Sequence, residues 1–316
     1  MINSKKNFIF TDCDLDGAGS YIMWSWFTGI APDKTSIRVN DFEITFNNWV
    51  KQGGFDRYEH VYVLDLDVSR ISDKVFDLLD NKQVTIIDHH QTHVDNLEKY
   101  KNANTYISKD SSCTKMVYNI FKSNSLPDSK VKTPDLSPER KLLTAMINDY
   151  DSYTLKIPES YHLNLLYWNY QGDRIDKFLI EFANGFSGFT DKQKRVIDFY
   201  LRKLEKIKKD LDIHWASIPI GSKKYRFISV FANECINEVA DHIIKNYKAD
   251  IGLVINVKSG KVSLRRRKEC TLKLGNFADK LFDQGGGHDE AAGGVICDNF
   301  LKFSNLFKPM KLKIGT

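Results

Sequence analysis

The residues of this chain best suited to chemistry are acids and imidazoles gathered in short runs. The first run is Thr11-Asp12-Cys13-Asp14-Leu15-Asp16-Gly17-Ala18-Gly19-Ser20. Three carboxylates at alternate positions repel one another and call for a counter-charge, which a divalent metal supplies. An EF-hand calcium loop starts with the same spacing but needs a bidentate Glu at its twelfth position, where this chain has Met23. A solvated acidic turn is the plain alternative. The second run is Leu64-Asp65-Leu66-Asp67. Asp65 directly follows a buried apolar stretch and is the better ligand candidate, while Asp67 suits a cap near Ser69. The third, Ile87-Asp88-His89-His90, joins two imidazoles to an acid. One ring can ligate a metal, the other can face a substrate oxygen, and Asp88 can hold a ring nitrogen from behind. His93 reads as a surface side chain. In the fourth, Asn148-Asp149-Tyr150-Asp151, Asp149 closes a helix. An acid there opposes the helix dipole unless a cation lies beside it, either a metal or a neighbouring Lys or Arg. Asp151 is the weaker alternative.

A different chemistry is written near the carboxyl end, in Gly285-Gly286-Gly287-His288 and the Ala291-Ala292-Gly293-Gly294 that follows. Consecutive glycines leave backbone N–H groups open to an anion, and His288 can donate to a phosphate oxygen. Upstream, Ser263-Leu264-Arg265-Arg266-Arg267 alternates as a strand would. Arg265 and Arg267 are expected on one face, Arg266 on the other. Either face is solvated in the plain reading; an Arg aimed at the glycines would clamp a phosphate or a base edge.

The elements that must position these groups follow from the apolar pattern. Residues 7–10, 61–64 and 84–87 are short apolar runs, each ending at an acid-bearing motif. They read as buried strands of a parallel sheet, with crossover helices such as 71–79 between them. Ligands of such sheets bind beyond the carboxyl ends of the strands, so the acids should meet on one rim. The Asp110-Ser111-Ser112 run can cap a helix over 113–122. The segment 123–137 contains Pro127 and Pro134 and reads as a surface loop, and Ser137-Pro138 opens a helix ending near Asp149. Val196, Ile197, Tyr200, Leu201, Leu204, Ile207 and Leu211 recur at helical spacing. The expected organisation is α/β: a parallel-sheet domain over 1–190, a connecting helix over 191–212, and a smaller α/β domain over 213–316. Strand-like 225–231, 250–257 and 262–267 and helical 234–247 form the latter.

Length and composition agree. At about 150 residues per domain, 316 residues allow two. With 42% hydrophobic and 28% charged residues, the chain is not compositionally disordered. No apolar run approaches the roughly 18 residues of a membrane span, and the amino end lacks a signal-peptide pattern. Five cysteines without a CxxC pair fit a reducing cytoplasm better than a disulfide framework. The net charge of +5 is compatible with a polyanionic partner but too mild to name one.

Taken together, the DxDxDG run, the strand-end Asp65, Asp88-His89-His90, the later Asp, and SLR followed by GGGHxxAAG resemble the DHH phosphoesterase family with its DHH-associated C-terminal domain. The resemblance spans essentially the whole chain, in order. Relatives include RecJ-like single-strand exonucleases, oligoribonucleases (nano-RNases) that also remove phosphate from adenosine bisphosphate, and cyclic-dinucleotide phosphodiesterases. It implies a dinuclear site of Asp14, Asp16, Asp65, His89 and Asp149, with Asp65 bridging the ions and His90 touching the scissile phosphate. Arg265, Gly286, Gly287 and His288 would hold the nucleotide. Many relatives have a His where Phe10 or Asp12 stands, and Asp12 would replace that ligand. Lys115 occupies a place where relatives often carry an acid.

The expected activity is metal-dependent hydrolysis of phosphodiesters in short oligonucleotides or single-stranded nucleic acid, yielding 5′-mononucleotides, with adenosine bisphosphate as a further substrate. The mixed carboxylate and imidazole set suits Mn²⁺, with Mg²⁺ or Co²⁺ as substitutes. Two ions about 3.5–4 Å apart would generate hydroxide and stabilise both the attacking and leaving oxygens. No room is left for an additional OB-fold, which favours short substrates. No membrane partner is expected, and a homodimer is compatible with the sequence. Three other readings compete: a cyclic- or linear-dinucleotide phosphodiesterase, a catalytically silent single-strand binder, and a haloacid-dehalogenase-type phosphatase using Asp12 or Asp14 as nucleophile. The last leaves Asp88-His89-His90 and the glycine run without a role.

Overall fold

The computed structural model describes residues 7–69, 71–125, 135–287 and 289–310. His288 and the whole Pro127–Pro134 stretch therefore lie outside the described residues. The chain divides into two compact units, one ending at Ile197 and the other beginning at Asp198.

The first unit alternates strand and helix: β1 (Asn7–Thr11), α1 (Leu15–Thr28), β2 (Asp33–Ser36), α2 (Val39–Lys51), α3 (Gly54–Arg57), β3 (His60–Leu64), α4 (Asp73–Leu79), β4 (Val84–Asp88), α5 (Gln91–Val94), β5 (Asn104–Ile107) and α6 (Cys113–Lys122). Three helices follow: α7 (Pro138–Asp151), α8 (Pro158–Trp168) and α9 (Arg174–Glu181). The strands form one parallel sheet in the order β2-β1-β3-β4-β5. Its central strands are buried at all but their first positions or throughout, because both faces are covered. Phe8, Phe10, Val61, Val63, Val84 and Ile86 pack with Phe42, Phe46 and Trp49 of α2. On the opposite face, Trp24 of α1 packs against Tyr62 and Phe121.

Two glycines set how closely α1 can approach its neighbours. A Cβ on Gly17 would lie 2.3 Å from the Asp12 carbonyl oxygen, and one on Gly19 would lie 2.3 Å from Thr114 Oγ1. Both helices expected after the third motif start as anticipated: the Ser112 hydroxyl accepts from Lys115 N–H, and the Ser137 hydroxyl from Arg140 N–H.

The helix α10 (Asp191–Lys209) runs across the division between the units. In the second unit, β6 (His214–Ile220), β7 (Lys223–Phe231), α11 (Ile236–Tyr247), β8 (Ile251–Asn256), β9 (Lys261–Arg266), α12 (Leu274–Leu281), β10 (Asp283–Gly287), β11 (Ala291–Val295), α13 (Asp298–Ser304) and β12 (Lys308–Pro309) follow. Its mixed sheet has the order β10-β11-β9-β8-β7-β6-β12. Val239, Ala240 and Ile243 of α11 cover one face, while Leu274, Ala278 and Phe300 of α12 and α13 cover the other. No helix among the described residues is long and apolar enough to cross a membrane.

Candidate active site

The carboxyl ends of β1, β3 and β4 deliver the first three motifs to one rim of the parallel sheet. Beyond β1, Asp14 caps α1, its Oδ1 accepting from Gly17 N–H at 2.9 Å. Asp16, in the first turn of α1, accepts the Cys113 and Thr114 N–H groups at 2.7 and 3.0 Å. One carboxylate thereby sits at the amino ends of both α1 and α6, where the helix dipoles favour it. Beyond β3, Asp65 takes a left-handed backbone conformation (φ 58°). Asp tolerates that region better than most residues, but it remains sparsely populated and recurs where a site over-determines the backbone.

His89 stands at the centre. Its Nε2 lies 3.2 Å from Asp65 Oδ1 and 3.8 Å from Asp16 Oδ2, and its Nδ1 lies 3.6 Å from Asp151 Oδ2. Candidate ligand atoms of Asp65, His89 and His90 lie within 4.8 Å of one another, as do those of Asp16, His89 and Asp151. Asp65 is 2% exposed, and its Oδ1 has no hydrogen-bond donor. A buried carboxylate oxygen short of donors and facing an imidazole nitrogen fits a divalent cation, and oxygen and nitrogen donors together fit a first-row metal.

The electrostatics point the same way. Burial, then the charges of Asp16 and Asp14, pushes the carboxyls of Asp65 and Asp151 well above their ordinary value. Burial and Asp16 raise Asp14, and burial with Asp14 raises Asp12 to about 7. Burial lowers His89. No Lys or Arg among the described residues forms an ion pair with Asp14, Asp16, Asp65 or Asp151. Acids so crowded must either take up protons or share a cation.

His90 is handled differently. Burial would lower it, but Asp88, with Oδ1 2.8 Å from His90 Nδ1, raises it to about 10. Burial likewise opposes the charge of Asp88, yet His90 and His93 hold its carboxyl far below the usual range.

Three expectations need correction. Asp149 does not join the cluster: its Oδ1 accepts from Thr154 Oγ1 and Lys156 N–H, and its Oδ2 from Ile157 N–H and Ser160 Oγ. These donors bind the carboxylate to the turn before α8 and keep its pKa low despite burial. The acid that reaches His89 is Asp151, the last residue of α7. His93 is fully buried rather than on the surface. Asp67 does not cap a helix but stabilises a turn, accepting from the Ser69 N–H and hydroxyl at 3.1 and 2.6 Å.

In the second unit, the glycine run is a strand rather than an open loop. Gly286 pairs with Gly293 and Gly287 with Ala292, on the edge strand β10. A Cβ on Gly285 would lie 2.0 Å from the Ala278 carbonyl oxygen, so this glycine lets β10 pass against α12. Arg265 turns to α11, its Nη2 donating to Asn237 Oδ1 at 2.8 Å. Arg266 is the one that braces the segment after the glycines, donating from Nε to the Asp289 carbonyl at 2.6 Å and pairing with Glu290. Arg267 pairs with Asp250.

Comparisons with known proteins fit this architecture. Residues 6–148 match the family model "DHH family, N-terminal domain", and residues 224–309 match "DHHA1 domain". No curated protein matches the chain's sequence. Among solved structures, manganese-bound exonuclease RecJ is similar at 14% identity and a TM-score of 0.53, over 95% of this chain and 88% of that one. PggH of Vibrio cholerae, a pGpG-specific phosphodiesterase, is similar at 12% identity and 0.52, over 95% and 96%. An exopolyphosphatase-related protein from Bacteroides fragilis gives 14% and 0.50, over 96% and 91%. At such identities these likenesses establish the fold alone. With both matched domains in order and the acid–imidazole rim between β1, β3 and β4, the chain belongs to the DHH family of phosphoesterases, a DHH domain followed by a DHHA1 domain.

Proposed function

We propose that this protein is a manganese-dependent phosphodiesterase that degrades short oligonucleotides to 5′-mononucleotides and also dephosphorylates adenosine bisphosphate. The observation that carries the reading is the His89 cluster. An oxygen of buried Asp65 without a donor faces His89, and Asp16 and Asp151 face the same ring. Asp16, Asp65, His89 and Asp151, with Asp14 alongside, would hold two ions, with Asp65 the best placed to bridge. Bound there, the ions would supply hydroxide at neutral pH and stabilise charge on the attacking and leaving oxygens.

The chain's own groups do the rest. His90, kept protonated by Asp88, donates from its second nitrogen to a non-bridging phosphate oxygen. Asp16 ties the amino ends of α1 and α6 together and so fixes the distance between the first and third motifs. In the second unit, the backbone of Gly286 and Gly287 on the edge strand is the proposed nucleotide hold, with Arg265 and His288 contributing as the family resemblance implies. Short substrates follow from the mild net charge of +5, since long polyanion tracks need denser basic surfaces. A cytoplasmic setting suits such scavenging.

The test is product analysis with Mn²⁺ on end-labelled RNA and DNA of increasing length, a linear dinucleotide, a cyclic dinucleotide and adenosine bisphosphate. The dinucleotide and adenosine bisphosphate should turn over faster than long single strands, and chelation should abolish all turnover. Full activity of His89→Ala would refute the site, and a marked preference for long DNA would refute the substrate assignment.

A further inference from the structure

Behind His90 lies a chain of polar groups that the hydrolytic reading does not use. His93 is fully buried, as is Asp88. Nδ1 of His93 lies 2.8 Å from Asp88 Oδ2, and its Nε2 lies 2.8 Å from the Tyr100 hydroxyl. The other Asp88 oxygen lies 2.8 Å from His90 Nδ1. Each contact is of ordinary hydrogen-bond length, and together they run from Tyr100 through His93 and Asp88 to His90. The backbone supports the same alignment: His90 precedes the single turn α5, and His93 N–H donates to the His90 carbonyl at 3.0 Å. The ring of Tyr100 is itself set by Phe76, with centroids 5.0 Å apart.

Burying an imidazole and a carboxylate beside a half-buried phenol costs free energy that an apolar trio of the same volume would not. What the polar trio adds is direction. With one oxygen occupied by His93, Asp88 cannot rotate without leaving a buried donor unpaired, so its other oxygen stays on His90 Nδ1.

We propose that His93 is a positioning residue for the reaction: it locks Asp88, which locks the His90 ring so that its second nitrogen faces the substrate phosphate, and Tyr100 in turn orients His93. This rests on the His89 cluster being the hydrolytic centre.

The test uses two substitutions of opposite geometry in the full chain. His93→Asn keeps an N–H donor near the place of Nδ1, toward Asp88. His93→Gln puts its amide near the place of Nε2, toward Tyr100, and leaves Asp88 Oδ2 with only the longer contact from His90 N–H at 3.4 Å. The Gln variant should lose about 10- to 100-fold in kcat, the range seen when outer partners of a metal site are removed, with KM little changed. The Asn variant should recover most of that loss. The second readout is the His90 Nδ1–H resonance of ¹⁵N-labelled protein without metal. It should be downfield and slow to exchange in the wild type and in His93→Asn, and broadened in His93→Gln. Should His93→Gln fail to fold, Tyr100→Phe takes its place and should lower kcat by a smaller factor while broadening the same resonance. Equal kcat and an unchanged His90 signal in whichever variant folds overturn the proposal. Were the wild type itself to show no metal-dependent hydrolysis, the hydrolytic reading would fall. The resonance would then decide the clamp alone.

Discussion

The Asp67–Asp88–His93 cluster and the Asp16–Asp65–His89–Asp151 cluster draw on the same residue types and the same sheet edge; candidate ligand atoms lie within 4.8 Å of one another throughout the first and, in the second, within the Asp16–His89–Asp151 triad. In the first, the contacts are hydrogen bonds. Asp88 lies within bonding distance of His90 and His93, His93 of Asp88 and Tyr100, and Asp67 accepts from Ser69 and Thr92. In the second, Asp65 Oδ1 has no donor, and the separations around His89, from 3.2 to 3.8 Å, accompany acids whose charges oppose one another. Proximity of acids and histidines is therefore a poor guide to a metal. The useful criterion is whether their lone pairs are already spent, and by that criterion only the second cluster has work left for a cation.

Neutralising Asp65 should divide the two clusters most sharply. Asp65→Asn should lower metal-dependent turnover by more than about 100-fold, beyond the loss expected for an outer-shell partner. Its stability without metal should hold or rise by about 1 kcal/mol, because a buried like-charge conflict is relieved. Urea titration beside the assay checks both, and a large loss of stability would place Asp65 with the satisfied cluster.

Two acids at the end of α7 allow the same contrast within three residues. Asp149→Ala should cost about 2–4 kcal/mol in urea titration, since it strips acceptors from two backbone N–H groups and two hydroxyls. Asp151→Ala should cost under about 1 kcal/mol and instead reduce turnover by about 10-fold or more. The reverse pattern would restore Asp149 as the ligand.

Metal addition sharpens the comparison further. Mn²⁺ at about 100 times its dissociation constant should stabilise the wild type by about 2.7 kcal/mol. In Asp65→Asn the same concentration should shift the thermal midpoint far less, and an equal shift would locate the ion elsewhere.

The smallest effect concerns Asp80, a satisfied acid that belongs to neither cluster. Its carboxylate accepts the N–H groups of Lys101, Asn102 and Ala103, which outweigh burial and lower its pKa. A group depressed on folding stabilises above its unfolded value and loses that contribution as pH falls through its folded one. Asp80→Asn should thus cost about 1 kcal/mol at neutral pH, and the difference from wild type should vanish well below about pH 3.9. A pH-independent difference would break the assignment.

Much of the site's framework could be read from the chain before folding. The apolar runs of β1, β3 and β4 are buried on both faces, so they announce themselves and fix which acids stand at strand ends. Ser112 and Ser137 mark α6 and α7 because a helix's open N–H groups select such residues. The edge strands β2 and β5 were silent. Asp33–Ser36 is polar, no residue of Asn104–Ile107 is fully buried, and only pairing with a neighbour makes either a strand. The glycine run concealed its strand for a related reason: Gly285 answers to the α12 backbone beside it, and local sequence carries no trace of that approach.

What the linear order of residues determined by itself was the inventory, with acids and imidazoles at the ends of buried strands and a conflict of charge that protons or a shared cation would relieve. What only the tertiary structure decided was the allocation of roles among near-identical neighbours: Asp151 over Asp149, Arg266 over Arg265 beside the glycines, and His93 inside rather than outside. The physical reason is that a carboxylate's or imidazole's role depends on which donors and acceptors reach it. Those partners (Thr154 and Ser160 for Asp149, Tyr100 and Asp88 for His93) reach it through turns and packing that no spacing rule encodes.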